Sequence, residues 1–374
     1  MQKKKVLLIF GTRPEAIKMC PLVRELHTRE TLETVVCVTG QHRQMLDQVL
    51  RAFAIIPEYD LDIMQDRQSL YDITQRILAR MEAVLVREKP DVVLVHGDTT
   101  TAFVTSLACF YQKIPVGHVE AGLRTHNIYS PFPEEFNRQA IGLVAQYHFA
   151  PTETAKGNLL REGKSPERVY VTGNTAIDAL KTTVREDYFH PELDWVGEAR
   201  LLLITAHRRE NMGAPMEQMF RAIGAVLKAY PHVKALYPIH LNPEIRSLAE
   251  HILGGLENIH IIEPLDVVDF HNIMARSHLI LSDSGGIQEE APALGKPVLV
   301  MREETERPEG VAAGTLRLVG SGEETIFLAC KQLLEDEGAY KRMSEASNPY
   351  GDGYASQRIA DVLEGRKWQP FLGA

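Results

Sequence analysis

Cysteine is scarce in this chain and shows no pattern. Cys20, Cys37, Cys109 and Cys330 are the only four among 374 residues, with no CxxC and no paired spacing. That argues against a disulfide framework and leaves four small core residues in a reducing compartment. A basic excess is missing as well. Lys and Arg number 41 against 50 Asp and Glu, a net charge of −9, so the footprint of a nucleic-acid binder is absent. Local positive pockets for anions remain open to it. No apolar run reaches the length of about 18 residues that a membrane span needs. The opening MQKKKVLLIFGTRPE imitates a signal peptide, but its apolar run, Val6 to Phe10, is short and breaks into a polar loop. These absences give the expectation of a cytoplasmic protein with neither nucleic-acid nor membrane partners. Metal-binding signatures are missing too: there is no HExxH, no His/Cys cluster and no EF-hand loop. The triplet DLD (60–62) resembles the acidic triplet of some metal-dependent glycosyltransferases, yet it follows no expected strand. Neither G-x-G-x-x-G nor G-x-x-x-x-G-K-[ST] occurs, so a dinucleotide site or P-loop finds no support and no cofactor is expected.

What the chain does contain is a succession of short apolar runs: 6–10, 34–39, 91–96, 114–119 and 168–173, then 200–206, 233–239, 258–262, 278–283 and 296–301. Most are continuous rather than alternating, which suits parallel strands covered on both faces. Amphipathic stretches at 69–89 and 215–230 lie between them, and such alternation is that of doubly wound α/β units. The series runs twice. One domain is expected over 1–173 and a second over 178–354, joined near 173–178, with a last helical segment in 355–374 crossing back onto the first. Ligands of open α/β sheets bind beyond the carboxyl ends of the strands, so two such edges facing each other would form a cleft, and the chemistry should follow the strands.

After the first run, GTRPEAIKM offers a turn at Gly11, cations at Arg13 and Lys18, and Pro14 at a helix start, which together form an anion site. Asp98 follows DVVLVHG, where its ordinary role would be a helix cap. Glu120 follows IPVGHV, where its ordinary role would be pairing with Arg124. Two neighbouring strands that each end in an acid are harder to dismiss, because like charges in one cleft raise a pKa and permit proton chemistry. In the second half, LLLITAHRREN ends in His207 flanked by Arg208 and Arg209, a phosphate-facing arrangement, and His240 is placed similarly. LILSDSGGIQEE runs a strand into Ser284, Gly285 and Gly286, whose amides could cradle a phosphate. Glu290 follows one turn later, where it could accept from a ribose diol, and Arg307 lies in the loop after the next strand.

Taken as a set, FGTRPEAIKM, GQHRQMLDQVL, VHGDTTTA, GHVEAGLRT, YSPFPEE, AHRREN, SDSGGIQEEAP, TERPE and NPYGDG resemble the non-hydrolysing UDP-N-acetylglucosamine 2-epimerases from about residue 5 to about 360. The resemblance implies a GT-B-like fold of two Rossmann-type domains facing across a cleft, a homodimer, and no nicotinamide or metal. The implied reaction interconverts UDP-N-acetylglucosamine and UDP-N-acetylmannosamine through loss of UDP to a 2-acetamidoglucal and its re-addition, supplying cell-surface polysaccharide synthesis. It implies Asp98, Glu120 and Glu134 as the catalytic acids, with His207 near the leaving group. Arg13, Ser284, Gly285, Gly286 and Arg307 would hold the diphosphate, with Lys18 joining the site. Phe270 and the backbone near Leu265 would hold the uracil, and Glu290 the ribose. It further implies a second, activating UDP-N-acetylglucosamine bound by Gln41, Gln44, Arg67, Gln68, Glu134, Arg208 and His240. Rival readings are a GT-B glycosyltransferase, which needs an acceptor groove but no clustered carboxylates; a hydrolysing epimerase, which releases UDP and N-acetylmannosamine; and a nucleotide-sugar sensor, against which the retained acids speak.

Overall fold

A computed structural model describes residues 3–40, 43–65 and 67–373, with the backbone alone at 43, 44 and 209. The chain divides into two units, Met1–Thr182 with Tyr350–Gly373, and Thr183–Pro349. The first carries seven strands: β1 (Lys4–Phe10), β2 (Leu32–Val38), β3 (Tyr59–Asp60), β4 (Val92–His96), β5 (Val116–Val119), β6 (Tyr147–Ala150) and β7 (Val169–Val171). They pair in parallel in the order β3-β2-β1-β4-β5-β6-β7. Val6 to Phe10 have no exposure. Leu7 and Ile9 pack with Ile73, Ile77 and Ala102 of the helices Leu70–Glu88 and Thr100–Tyr111. Helix Arg13–His27 lies against β1 and β2. Burial on both faces is why β1 is apolar at every position from Val6 to Phe10 rather than at every second one.

The second unit repeats the plan with β8 (Arg200–Thr205), β9 (Val233–Pro238), β10 (Ile259–Ile262), β11 (Leu279–Ser282), β12 (Val298–Val300) and β13 (Leu316–Leu318). The order β10-β9-β8-β11-β12-β13 is again fully parallel. Its core joins Leu202, Ile204 and Leu281 to Phe220 and Ile223 of helix Ala214–Ala229 and to Ile326 and Leu333 of helix Glu323–Glu335. Both units are therefore Rossmann-type doubly wound sheets, the pair that makes up a GT-B-like fold. In each, strand order reverses between the first and fourth strands, β1/β4 and β8/β11, and a ligand crevice opens at such a switch point.

All ten apolar runs become strands. Three strands lay outside them. β6 (YHFA) carries a histidine in four residues, β13 (LRL) exposes Arg317, and β3 has two residues, ending on Asp60 within the DLD triplet. That triplet therefore begins inside a strand, where the sequence reading expected none. The junction expected at 173–178 is occupied by helix Thr175–Thr183, which stays with the first unit through Thr182. Its Asp178 accepts the amides of Ala355 (3.2 Å) and Ser356 (2.7 Å) and so caps the last helix, Ala355–Leu363. Arg29 of the first helix pairs with Asp361 at 2.7 Å and Glu364 at 2.9 Å, so the returning helix belongs to the same unit. The four cysteines are free and buried. Among the described residues no helix is long and apolar enough to cross a membrane.

Candidate active site

In the first unit the switch point is built by the loops after β1, β4 and β5. The chain leaves β1 through Gly11, where a Cβ would lie 1.9 Å from Thr39 Oγ1, so any other residue would displace the loop. Thr12 caps the helix and Glu15 completes the capping box. The Glu15 carboxylate accepts the Gly11 amide at 3.0 Å and the Thr12 amide at 2.8 Å, and its other oxygen accepts the Thr99 hydroxyl at 2.7 Å. One buried acid thus ties the loop after β1 to the loop that carries Asp98. Burial pushes the Glu15 carboxyl up to about 6, against the pull of the Thr99, Gly11 and Thr12 hydrogen bonds.

The same helix delivers Lys18, which pairs with Glu120. Asn174 Nδ2 donates to the same Glu120 oxygen at 2.9 Å, and His96 Nε2 stands 3.7 Å from it. Glu120 has φ +64, a left-handed conformation that costs a side-chain-bearing residue about 1–3 kcal/mol and gathers at functional sites. The pairing with Arg124 that the sequence allowed does not form. Arg124 instead holds Glu162, with Nε to Oε1 at 2.6 Å and Nη2 to Oε2 at 3.0 Å. Asp98 is held by Arg138 Nη2 at 2.5 Å, and its carbonyl accepts Asn137 Nδ2 at 2.8 Å. Arg138 also reaches Glu135 at 3.3 Å. Glu135, fully buried, accepts the amides of Thr125 (3.1 Å) and His126 (3.2 Å) and so pins the loop before helix Glu134–Val144. Glu134 opens that helix, and its Oε2 is buried without a hydrogen-bond partner. Arg13 sits half-buried at the first position of its own helix.

In the second unit the organiser is Asp283, fully buried just past β11. Its Oδ2 accepts the amides of His207 (2.9 Å) and Arg208 (2.8 Å) and the Asn211 side chain (3.2 Å). Its Oδ1 is 3.4 Å from His207 Nδ1. Burial lowers the pKa of His207, outweighing the Asp283 charge that opposes it, so the ring is neutral at neutral pH. It remains 41% exposed and lies 5.8 Å from the His240 ring, nearly parallel to it. The Ser284 amide already donates to Ser282 Oγ at 3.0 Å. The cradle expected from three amides therefore reduces to the amides of Gly285 and Gly286 with the Ser284 hydroxyl. A Cβ on Gly285 would stand 3.5 Å from Arg208 Nη2 and 3.9 Å from Arg307 Nη2, so two guanidinium groups converge on the glycine turn. Arg307 is paired with buried Glu289. Glu290 lies 3.5 Å from His271 Nε2, and Thr183 Oγ1 holds the other ring nitrogen at 2.7 Å. Leu265 and Phe270 are half-buried, just before and within helix Val267–Arg276. This edge presents a neutral imidazole, two guanidinium groups and a glycine turn, which suits an anion.

Residues 24–364 match the protein-family model described as UDP-N-acetylglucosamine 2-epimerase. The chain belongs to the UDP-N-acetylglucosamine 2-epimerase family. A Bacillus subtilis UDP-N-acetylglucosamine 2-epimerase is 60% identical over 97% of this chain and 96% of that protein. A crystal structure from Listeria monocytogenes, of the same family, is 53% identical and superposes with a TM-score of 0.94 over 99% of this chain and 100% of that one. The Neisseria meningitidis UDP-GlcNAc 2-epimerase, solved with UDP-GlcNAc bound, is 50% identical with a TM-score of 0.88 over 97% and 100% of the two chains.

In this member of the epimerase family, Asp98 and Glu120 end adjacent parallel strands, and Lys18 reaches Glu120. Arg138 links Asp98 to the helix that begins with Glu134. The expected effector set is less complete. Gln41 and the side chain of Gln44 lie outside the described residues. Arg67 is exposed with φ +56, and Gln68 accepts Arg76 Nη1 at 3.1 Å. Arg208 and His240 belong to the other unit, beside Gly285 and His207. Sequence reasoning missed Asp283, His96, Asn174, Arg138 and His271. Asp283 and His96 each lie within a quoted motif and close a strand, a signal that was available. Asn174 reaches Glu120 from 54 positions away, and nothing around it announces that contact.

Proposed function

We propose that the protein epimerises carbon 2 of UDP-N-acetylglucosamine, giving UDP-N-acetylmannosamine reversibly and without net hydrolysis. The observation that carries this reading is the contrast between two strand-end sites in one chain: carboxylates with a lysine in one, arginines around a glycine turn in the other. A base takes the proton from carbon 2 while the bond from carbon 1 to the diphosphate oxygen breaks. UDP leaves with the bonding electrons, and a carbon 1–carbon 2 double bond forms. Re-addition of UDP at carbon 1, with a proton delivered to the opposite face of carbon 2, gives the other epimer. Removing and restoring a proton on opposite faces calls for at least two proton-handling groups, each contributing roughly 10²–10⁴-fold. Asp98, Glu120 and Glu134 supply them. Arg307, Ser284 and neighbouring groups meet the charge that grows on the leaving diphosphate, commonly the largest catalytic contribution. Arg13 adds a cation, Glu290 takes the ribose and Phe270 the base. The Neisseria relative with UDP-GlcNAc bound supports the choice of nucleotide sugar.

The reading includes activation by the substrate itself through Gln41, Gln44, Arg67, Gln68, Arg208 and His240. The nearness of His240 to His207 favours it, since an effector touching the one ring would bear on the other. It also includes a cytoplasmic homodimer that feeds polysaccharide synthesis, as the family resemblance implies. The test is incubation with UDP-N-acetylglucosamine in heavy water, followed by NMR. Deuterium at carbon 2 of both epimers, with no build-up of free UDP, is expected. An epimer that keeps its original hydrogen overturns elimination, and accumulation of UDP with N-acetylmannosamine favours the hydrolysing reaction. Purified UDP-N-acetylmannosamine should turn over only after a lag or addition of the other epimer; immediate full rate removes the effector requirement.

A further inference from the structure

His96 ends β4 one strand away from Glu120, with 5% of its side chain exposed. Its Nε2 is buried, has no hydrogen-bond partner and points to Glu120 Oε2 from 3.7 Å. Leaving a buried ring nitrogen unpaired is costly, so the arrangement needs a reason. The charged groups that face the ring come from three elements: Glu120 after β5, Lys18 on the first helix and Asp98 after β4. Burial draws the imidazole down to about 4, against the Glu120 charge, so it is neutral. A neutral ring turns either a lone pair or an N–H toward Glu120. Beside two carboxylates the lone pair is repelled, so the proton sits on Nε2.

The 3.7 Å gap has a simple cause. A carboxylate oxygen offers two lone-pair directions. On Glu120 Oε2, Lys18 takes one and Asn174, at 2.9 Å, takes another. A third donor must wait. Of these donors, Asn174 has a neutral amide, whereas Lys18 carries a cation that an anionic substrate would attract. We infer that His96 is a positioning residue for Glu120: when Lys18 turns to the substrate, His96 Nε2–H takes its place on Glu120 Oε2, and the carboxylate keeps two donors and its aim through proton transfer. Catalytic hydrogen bonds that are long without substrate and tighten with it are a general pattern. This inference rests on the epimerase reading of the site.

The experiment compares His96→Leu and His96→Gln with the parent, using kcat, KM and the pH profile of kcat for UDP-N-acetylglucosamine, and UDP affinity by calorimetry. Leu removes the donor. Gln places an amide N–H near the position of Nε2. Losing a hydrogen bond to a charged group should lower kcat about 10- to 100-fold in H96L, with KM and UDP affinity within about twofold. The acid limb of its profile should move to higher pH, because a carboxylate that has lost a donor takes up a proton more readily. H96Q should recover most of kcat and the parental limb. Parental kcat and limb in H96L overturn the inference, as does an H96Q as slow as H96L. If H96L does not fold, His96→Asn replaces it, because its shorter amide cannot reach Glu120; equal rates for H96N and H96Q then overturn the proposal. A parent enzyme that fails to exchange the carbon 2 hydrogen would sink the epimerase reading instead, a separate result.

Discussion

The two units share strand order and switch point, and they differ in what those points hold. In the first, β4 and β5 end in acids, the histidine beside them is buried and neutral, and Lys18 and Arg138 are each committed to a carboxylate. In the second, the acid at the strand end, Asp283, is buried and turned inward onto two backbone amides, while His207 stays 41% exposed and Arg208 and Arg307 flank Gly285. Under the proposed function, the same architectural edge supplies proton-handling groups in one unit and an anion-holding surface in the other. Strand order decides where a site can be, and the few residues after each strand decide what it does.

The sharpest way to break this division is to exchange the readouts. Asp98→Asn and Glu120→Gln should each lower turnover by roughly 10²–10⁴-fold and leave UDP affinity within about twofold. The mirror variant must be double, because removing Arg307 alone would strand the buried Glu289 charge. Arg307→Gln with Glu289→Gln should weaken UDP binding by roughly 10–100-fold, the worth of lost charge-assisted hydrogen bonds. Calorimetry with UDP and steady-state rates measure both. If D98N and E120Q weaken UDP as much as the double variant does, the division of labour is wrong.

Much of this was readable before any coordinates. Continuous apolar runs marked ten of the strands, because a strand buried on both faces cannot tolerate polar residues. Gly11, Asp98, Glu120 and the Ser284–Gly286 turn stood out because they follow such runs directly. Partnerships were not readable. Glu120 had a local candidate in Arg124, four positions on, yet its partners Lys18 and Asn174 come from 102 and 54 positions away, brought in by the sheet rather than by neighbouring sequence. β6 was hidden by His148 and β13 by Arg317, polar residues that break an apolar run. Glu15 looked like an ordinary capping-box residue, and nothing local showed that its second oxygen would hold Thr99.

A smaller effect tests the second unit by itself. Asp283→Asn puts an amide N–H either toward His207 Nδ1, which stands 3.4 Å from Oδ1, or where Oδ2 accepted the two backbone amides, so the ring loses its orientation. Turnover should fall about 10- to 100-fold, the usual scale for losing one hydrogen bond to a charged group. A stability effect is separated by repeating the change in a His207→Ala background, where a pure orienting role predicts no further loss. An equal loss in both backgrounds would show that Asp283 supports the loop and not the imidazole.

The smallest effect concerns stability, and its sign should differ between the units. Glu15 has a folded pKa of about 6, raised by burial from 4.5. A raised carboxyl pKa favours the protonated native form, so the stability it contributes is present below 4.5 and is lost as pH rises through 6. Glu306 in the second unit is held at about 2: burial raises it, but the hydrogen bond and charge of Arg302 prevail. Its stability is present above 4.5 and is lost as pH falls through 2. Glu15→Gln should therefore gain on the parent as pH rises from 4.5 to 6, by about 2 kcal/mol in all, from a shift of roughly 1.5 pKa units at 1.36 kcal/mol each. Glutamine can still accept both amides and donate to Thr99, so any hydrogen-bond cost is a constant offset and the slope is the readout. Glu306→Gln should lose on the parent at neutral pH. Its side chain is 40% exposed, and screening reduces the effect to about 1 kcal/mol. Urea melts of the three proteins from pH 2 to 8 measure both. Slopes of the same sign would mean that burial, not the pairing with Arg302, governs acids in both units.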